Sequence, residues 1–185
     1  DAGDASILKA DTNYLFKYLE KSLHSEKKKS SVVFLGDNIY PAGLPSKKKK
    51  NRMEAESILD EQLDLSKNYT GQTYFIPGNH DWNHWKAGGK KAIQRQENYV
   101  QEYYKDDDSK VKFYPNNACG DPVVKKISKN LYYVFIDSQW WLQNWNGEKK
   151  MNKGCAIKSR QEFLDNLEEI FHIHKNDQIV VFMHH

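Results

Sequence analysis

Apolar and polar positions fall into two kinds of block along this chain. Tyr14, Leu15, Tyr18, Leu19 and Leu23 recur at three- and four-residue steps. That spacing predicts a helix over 12–24, with Asp11 placed to cap its N-terminus. After a polar break at 27–31, Val32-Val33-Phe34-Leu35 is a wholly apolar run ended by Gly36-Asp37, the pattern of a strand buried on both faces. Residues 41–52 hold a glycine, two prolines and a lysine cluster and read as a loop. Ile58, Leu59 and Leu63 predict a helix over 54–65. Thr73-Tyr74-Phe75-Ile76 predicts a second strand, stopped by Pro77-Gly78. Ile93, Val100 and Tyr103 predict a helix over 90–104, closed by a solvated Asp106-Asp107-Asp108 loop. Leu131 to Ile136 reads as a third strand ending at Asp137. Phe163, Leu164, Leu167, Ile170 and Phe171 mark an amphipathic helix over 158–172. Gln178 to Phe182 is a last strand, leading into Met183-His184-His185.

Helices separate most of these strands, which is the order of an α/β protein. Sites in open α/β sheets gather at the carboxyl ends of strands. Asp37, Asn79, Asp137 and His184 all follow apolar runs, so side chains distant in sequence are expected at one rim.

Composition narrows this picture. At 185 residues the chain fits one domain, and 38% hydrophobic with 13% aromatic residues suffices for a core. A formal net charge of +3 does not point to nucleic acid, which calls for a basic domain or stripe. The tracts Lys27-Lys28-Lys29 and Lys47-Lys48-Lys49-Lys50 read as solvated loops. No apolar run approaches a membrane span. Cys119 and Cys155 lack metal-ligand spacing, and both free thiols and one disulfide fit the sequence. Asn68-Tyr69-Thr70 is a formal glycosylation acceptor.

Candidate chemistry lies in the turns. Gly78-Asn79-His80-Asp81 sets an amide, an imidazole and a carboxylate in succession after a strand. An amide oxygen is a hard metal ligand, an imidazole donates a proton or holds an anion, and a carboxylate can fix the imidazole's tautomer. Gly36-Asp37-Asn38-Ile39-Tyr40 offers a carboxylate able to bridge two cations and a phenol that suits a trivalent metal once ionised. Val181-Phe182-Met183-His184 puts a histidine directly after a strand, with His185 beside it as an alternative. Taken singly, each of these is also an ordinary polar turn, a core tyrosine or a structural histidine.

As a set, with Asp1-Ala2-Gly3 at the start, they resemble the calcineurin-like metallophosphoesterases, and among them the purple acid phosphatase type. That type carries Gly-Asp-x-Gly, Gly-Asp-x-x-Tyr, Gly-Asn-His-Asp or Glu, Val-x-x-His and Gly-His-x-His in order. The second and third blocks match completely, the first lacks its leading glycine, the fourth matches, and the fifth is absent from the 185 residues. Gly3 in place of a histidine, together with Tyr40, favours the purple type. Asp81-Trp82-Asn83 and Asp137-Ser138-Gln139-Trp140-Trp141 are similar to Bacteroidetes-type exported members.

The resemblance implies a two-sheet β-sandwich flanked by helices (α/β/β/α), present as an N-terminal portion. Residues 1–185 would be one catalytic domain truncated at both ends. It implies hydrolysis of phosphate esters by a metal-bound hydroxide at a dinuclear centre, iron paired with zinc, manganese or iron. Asp1 and Tyr40 would bind the first metal, Asp37 would bridge, and Asn79 and His184 would bind the second. Asn79 and His80 would meet the substrate. His80 would contact the phosphoryl oxygens or protonate the leaving group, and Asp81 would orient it. The expected partner is a phosphate ester rather than nucleic acid, and the expected place is exported, periplasmic or extracellular. A domain that has lost catalysis and serves as a scaffold, and a nuclease of the same superfamily, are the alternatives. Trp82, Trp85, Trp140, Trp141 and Trp145 are either core packing or an apolar wall over the site.

Overall fold

The computed structural model describes residues 3, 14–25, 30–67, 69–105, 110–143 and 153–185. Asp1, Asp11, Asn68, Asp106 to Asp108 and Trp145, and the tract at Lys27, lie outside the described residues.

The first strand, β1 (Ser31–Phe34), is followed by α2 (Arg52–Asp64), β2 (Gln72–Phe75), α3 (Gly89–Tyr103) and β3 (Val111–Phe113); α1 (Tyr14–Ser25) precedes them. Because each crossover is a helix, the three strands run parallel, in the order β1-β2-β3. The second sheet pairs β4 (Val123–Ser128) antiparallel with β5 (Leu131–Phe135) across a tight turn. The crossover α5 (Arg160–Ile173) then returns the chain to lay β6 (Gln178–Phe182) parallel to β5. A short helix, α4 (Ser138–Leu142), follows β5. Two small sheets with flanking helices match the expected architecture.

An aromatic layer joins the sheets. Tyr74 of β2 meets Phe135 of β5 at 4.8 Å between ring centroids, and Phe135 stacks on Phe182 of β6 at 5.3 Å. A larger core gathers Ile39, Leu59, Phe75, Trp82, Ile93, Phe113, Val134 and Trp140. Trp82 and Trp140 are therefore core residues and not a wall over the site, whereas Trp85 is 48% exposed. Lys47 to Lys50 are exposed, as expected of a solvated loop.

Two expectations about burial are corrected. β1 is only half-buried along most of its length and Leu35 is exposed, since one face of a three-stranded sheet is incompletely covered. On α5, Phe163 and Ile170 are buried while Leu164 and Phe171 are exposed, so the buried stripe is narrower than the apolar one.

Cys119 and Cys155 form a disulfide. It ties the loop after β3 to the segment leading into α5. By loop-closure entropy it stabilises the fold by about 4 kcal/mol. Gly120, next to Cys119, packs against the Trp140 ring so closely that a Cβ there would lie 2.0 Å from it.

Candidate metal centre

Each site residue sits where a strand has just ended. Asp37 follows β1, Asn79 and His80 follow β2, and His184 follows β6. The loops after β1 and β2 touch, which accounts for their glycines. Gly36 has φ 94°, and a Cβ there would lie 2.7 Å from the Gly78 nitrogen. A Cβ on Gly78 would lie 2.2 Å from Asp37 Oδ1. Asp37 itself has φ 53°, in the left-handed region that Asp and Asn enter more readily than other side chains.

Asp37 is buried, and its two oxygens face different partners. Oδ2 accepts the Tyr40 hydroxyl at 3.0 Å. Oδ1 accepts the backbone N–H of His80 at 3.0 Å and lies 3.4 Å from His184 Nε2. Burial raises the Asp37 carboxyl, but hydrogen bonds from His184, the His80 N–H and Tyr40, together with the charge of His184, bring it down to about 2.

The His184 ring is fixed by Nδ1–H donating to the Leu35 carbonyl at 2.7 Å. A carbonyl only accepts, so the neutral ring presents its Nε2 lone pair. That nitrogen faces Asn79 Oδ1 at 3.1 Å and Asp37 Oδ1 at 3.4 Å. Three lone-pair atoms converging in this way need a cation or a proton among them. The hydrogen bond to Asp37 accordingly raises the His184 pKa, against the opposing effect of burial. The donor set of carboxylate, amide oxygen and imidazole fits a divalent metal, and the phenol of Tyr40 extends it on the far side of Asp37.

His80 stands beside this set. Nδ1–H donates to the Pro41 carbonyl at 2.8 Å, which leaves Nε2 free to face outward, 3.9 Å from Asp37 Oδ2. The Tyr40 and His84 rings pack against His80 with centroids at 3.8 Å and 4.0 Å.

Asp81 corrects an expectation. Its carboxylate does not orient His80, whose Nδ1 is taken by Pro41. Instead Asp81 accepts the N–H groups of Gly78 at 2.8 Å, Asn38 at 3.1 Å and Ile39 at 3.2 Å, and the Asn38 side-chain amide at 3.2 Å. Burial pushes this carboxyl up to about 6, against the lowering effect of those backbone bonds. Asp81 thus clamps the two motif loops together. Asn38 also reaches the Ile76 carbonyl at 2.8 Å, and Gln62 of α2 reaches the Asn38 carbonyl at 2.8 Å.

Asp137, a fourth strand-end residue, does not join the cluster. It caps α4 by accepting the Trp140 N–H at 2.9 Å and takes the Trp82 indole N–H at 2.8 Å. Asp1 lies outside the described residues. Gly3 of the same block accepts the Tyr40 N–H at 2.8 Å, which brings Gly3 against the Asp37–Tyr40 loop. His184, not His185, faces the cluster.

The family model for calcineurin-like phosphoesterases matches residues 8–185. The chain belongs to that family. Membership carries metal-dependent phosphoester hydrolysis as its general chemistry and two metal ions as its general complement. No curated protein and no solved structure is significantly similar to the chain. None of its described helices is long and apolar enough to cross a membrane.

Sequence reasoning missed three contributors to this calcineurin-like site: the Leu35 and Pro41 carbonyls, and His84. Backbone carbonyls leave no trace in residue identity. His84, four positions after His80 in an irregular turn, belongs to no periodic pattern.

Proposed function

We propose that this chain carries the dinuclear-metal centre of a phosphatase of the purple acid type. The observation that carries the proposal is Asp37, with one carboxylate oxygen toward Tyr40 and the other toward Asn79 and His184. A carboxylate set between two groups of donors in this way could serve as a ligand to two cations. Tyr40 and Asp1 would complete the first metal's protein ligands within this chain, and Asn79 and His184 those of the second. Two bound metals supply Lewis acidity toward the phosphoryl group and activate water at neutral pH.

The remaining steps fall to the chain's own residues. His80 is held by Pro41 and by the Tyr40 and His84 rings, with Nε2 toward the space in front of Asp37. There it contacts the phosphoryl oxygens or delivers a proton to the leaving oxygen. Asn79 adds a polar contact to the same group. Asp81 keeps both loops in register and touches no reacting atom.

A disulfide persists in oxidising compartments, so Cys119–Cys155 supports an exported, periplasmic or extracellular protein. A net charge of +3 supports a small or isolated phosphate ester over nucleic acid as substrate.

The experiment is hydrolysis of an aryl phosphate, its diester, and single-stranded and duplex DNA by the full-length protein, with and without metal. Metal-dependent turnover of the aryl esters is expected. In His80→Ala, metal content should persist while turnover falls by roughly 10²-fold or more. DNA cleavage without ester turnover would make the protein a nuclease. Tight metal binding without any hydrolysis would make it a scaffold.

A further inference from the structure

The backbone leaves ordinary geometry just beyond the second motif. Asn83 (φ 54°), His84 (φ 48°) and Trp85 (φ 61°) are all in the left-handed region. They form a single left-handed turn, held by the His84 N–H to the Asn79 carbonyl at 2.9 Å and the Asn83 N–H to the His80 carbonyl at 2.8 Å. Asn and His enter that region more often than most side chains, and Trp does not. Burial of the turn's largest side chain does not account for it, because Trp85 is 48% exposed.

What the turn does place is the His84 ring. Its centroid lies 4.0 Å from that of His80, edge to face, and its Nδ1 lies 3.4 Å from Asn79 Nδ2. An amide nitrogen only donates, so Nδ1 accepts and the ring hydrogen sits on Nε2. In this contact the Asn79 NH₂ faces His84, and Oδ1 faces His184 Nε2 at 3.1 Å. With a cation among the lone pairs, the flipped amide would turn its NH₂ toward that cation and would need the other His84 tautomer.

We propose that His84 is a positioning residue for Asn79. By accepting the amide hydrogen it holds the Asn79 oxygen toward the metal position, and the left-handed turn over 83–85 brings the ring there. The proposal rests on the metal-centre reading above. It assigns His84 no contact with the reacting atoms.

The test is Mn²⁺ titration of metal-stripped full-length protein, read from the free-ion EPR signal, with His84→Phe, His84→Asn and Asp37→Ala beside the wild type. Phenylalanine keeps a ring against His80 and removes the acceptor. Asparagine keeps an acceptor near the place of Nδ1 and tolerates the left-handed backbone. His84→Phe is expected to bind Mn²⁺ about 10- to 100-fold more weakly, and His84→Asn close to wild type. Thermal melts of the stripped proteins check that each variant folds; should the phenylalanine variant not fold, His84→Ala carries the same expectation. Wild-type affinity in His84→Phe, or an asparagine variant as weak as the phenylalanine one, overturns the proposal. If Asp37→Ala loses Mn²⁺ while His84→Phe does not, the metal centre stands and only the role of His84 falls. Undiminished binding in Asp37→Ala removes the metal-centre reading itself.

Discussion

Asp81 and Asn38, 43 positions apart in the chain, are joined by two hydrogen bonds to one carboxylate oxygen, from the Asn38 backbone N–H at 3.1 Å and its side-chain amide at 3.2 Å. Through this contact the third motif block holds the second. Asp81→Asn turns an NH₂ toward groups that are themselves donors. The variant is expected to lose about 1–3 kcal/mol of stability in denaturant unfolding and to bind metal more weakly as the loops loosen. Unchanged stability with a fall confined to turnover would instead make Asp81 the orienting partner of His80.

Tyr40 gives a spectroscopic prediction. Its hydroxyl is 3.0 Å from Asp37 Oδ2, on the side of the carboxylate away from His184. With Fe³⁺ in the first position, the full-length protein should show a visible tyrosinate-to-iron charge-transfer band, and Tyr40→Phe should abolish it while keeping the fold. A colourless, fully active wild type would mean two divalent ions and no tyrosinate.

Asp137 gives a pH prediction. Burial pushes its carboxyl up to about 7, against the lowering effect of its bonds from Trp140 and Trp82. The folded state therefore holds this proton more tightly than the unfolded chain does. Its stabilising contribution is complete below the ordinary aspartate value of about 4 and is lost as pH rises toward about 7. Asp137→Asn removes the titrating proton but puts an NH₂ in place of one accepting oxygen, so it should be less stable at pH 5 than wild type. Its stability should also fall less between pH 5 and pH 8. Chemical denaturation at the two pH values checks this; an unchanged slope would show that Asp137 titrates normally.

The long periodic elements and the strand-end residues were legible in the sequence, and the short or irregular parts were not. β6 is found at Gln178–Phe182, as expected from a short apolar run, and the helices differ from the expected bounds by one or two residues. β3 escaped because Val111–Phe113 is too short to show a period. β4 escaped because Lys125 and Lys126 interrupt its apolar run, which faces partly outward. α4 escaped because its five residues carry no repeat, and Asp137 is its cap rather than a ligand. Adjacency in sequence suggests contact between Asp81 and His80, which the structure does not show. In a tight turn successive side chains diverge, and Asp81 points inward while His80 points out. Sequence does not decide the disulfide, because only the fold brings the Cα atoms of Cys119 and Cys155 to 5.5 Å.

In the proposed centre Asp37 bridges two metals, with Tyr40 on one side and Asn79 and His184 on the other. The most direct measurement is the metal content of the purified full-length protein by elemental mass spectrometry, beside Asp37→Ala. Two transition-metal ions per chain are expected in the wild type, and loss of most of both in the variant. A wild type without metal, or an Asp37→Ala variant that retains the full complement, would contradict the account.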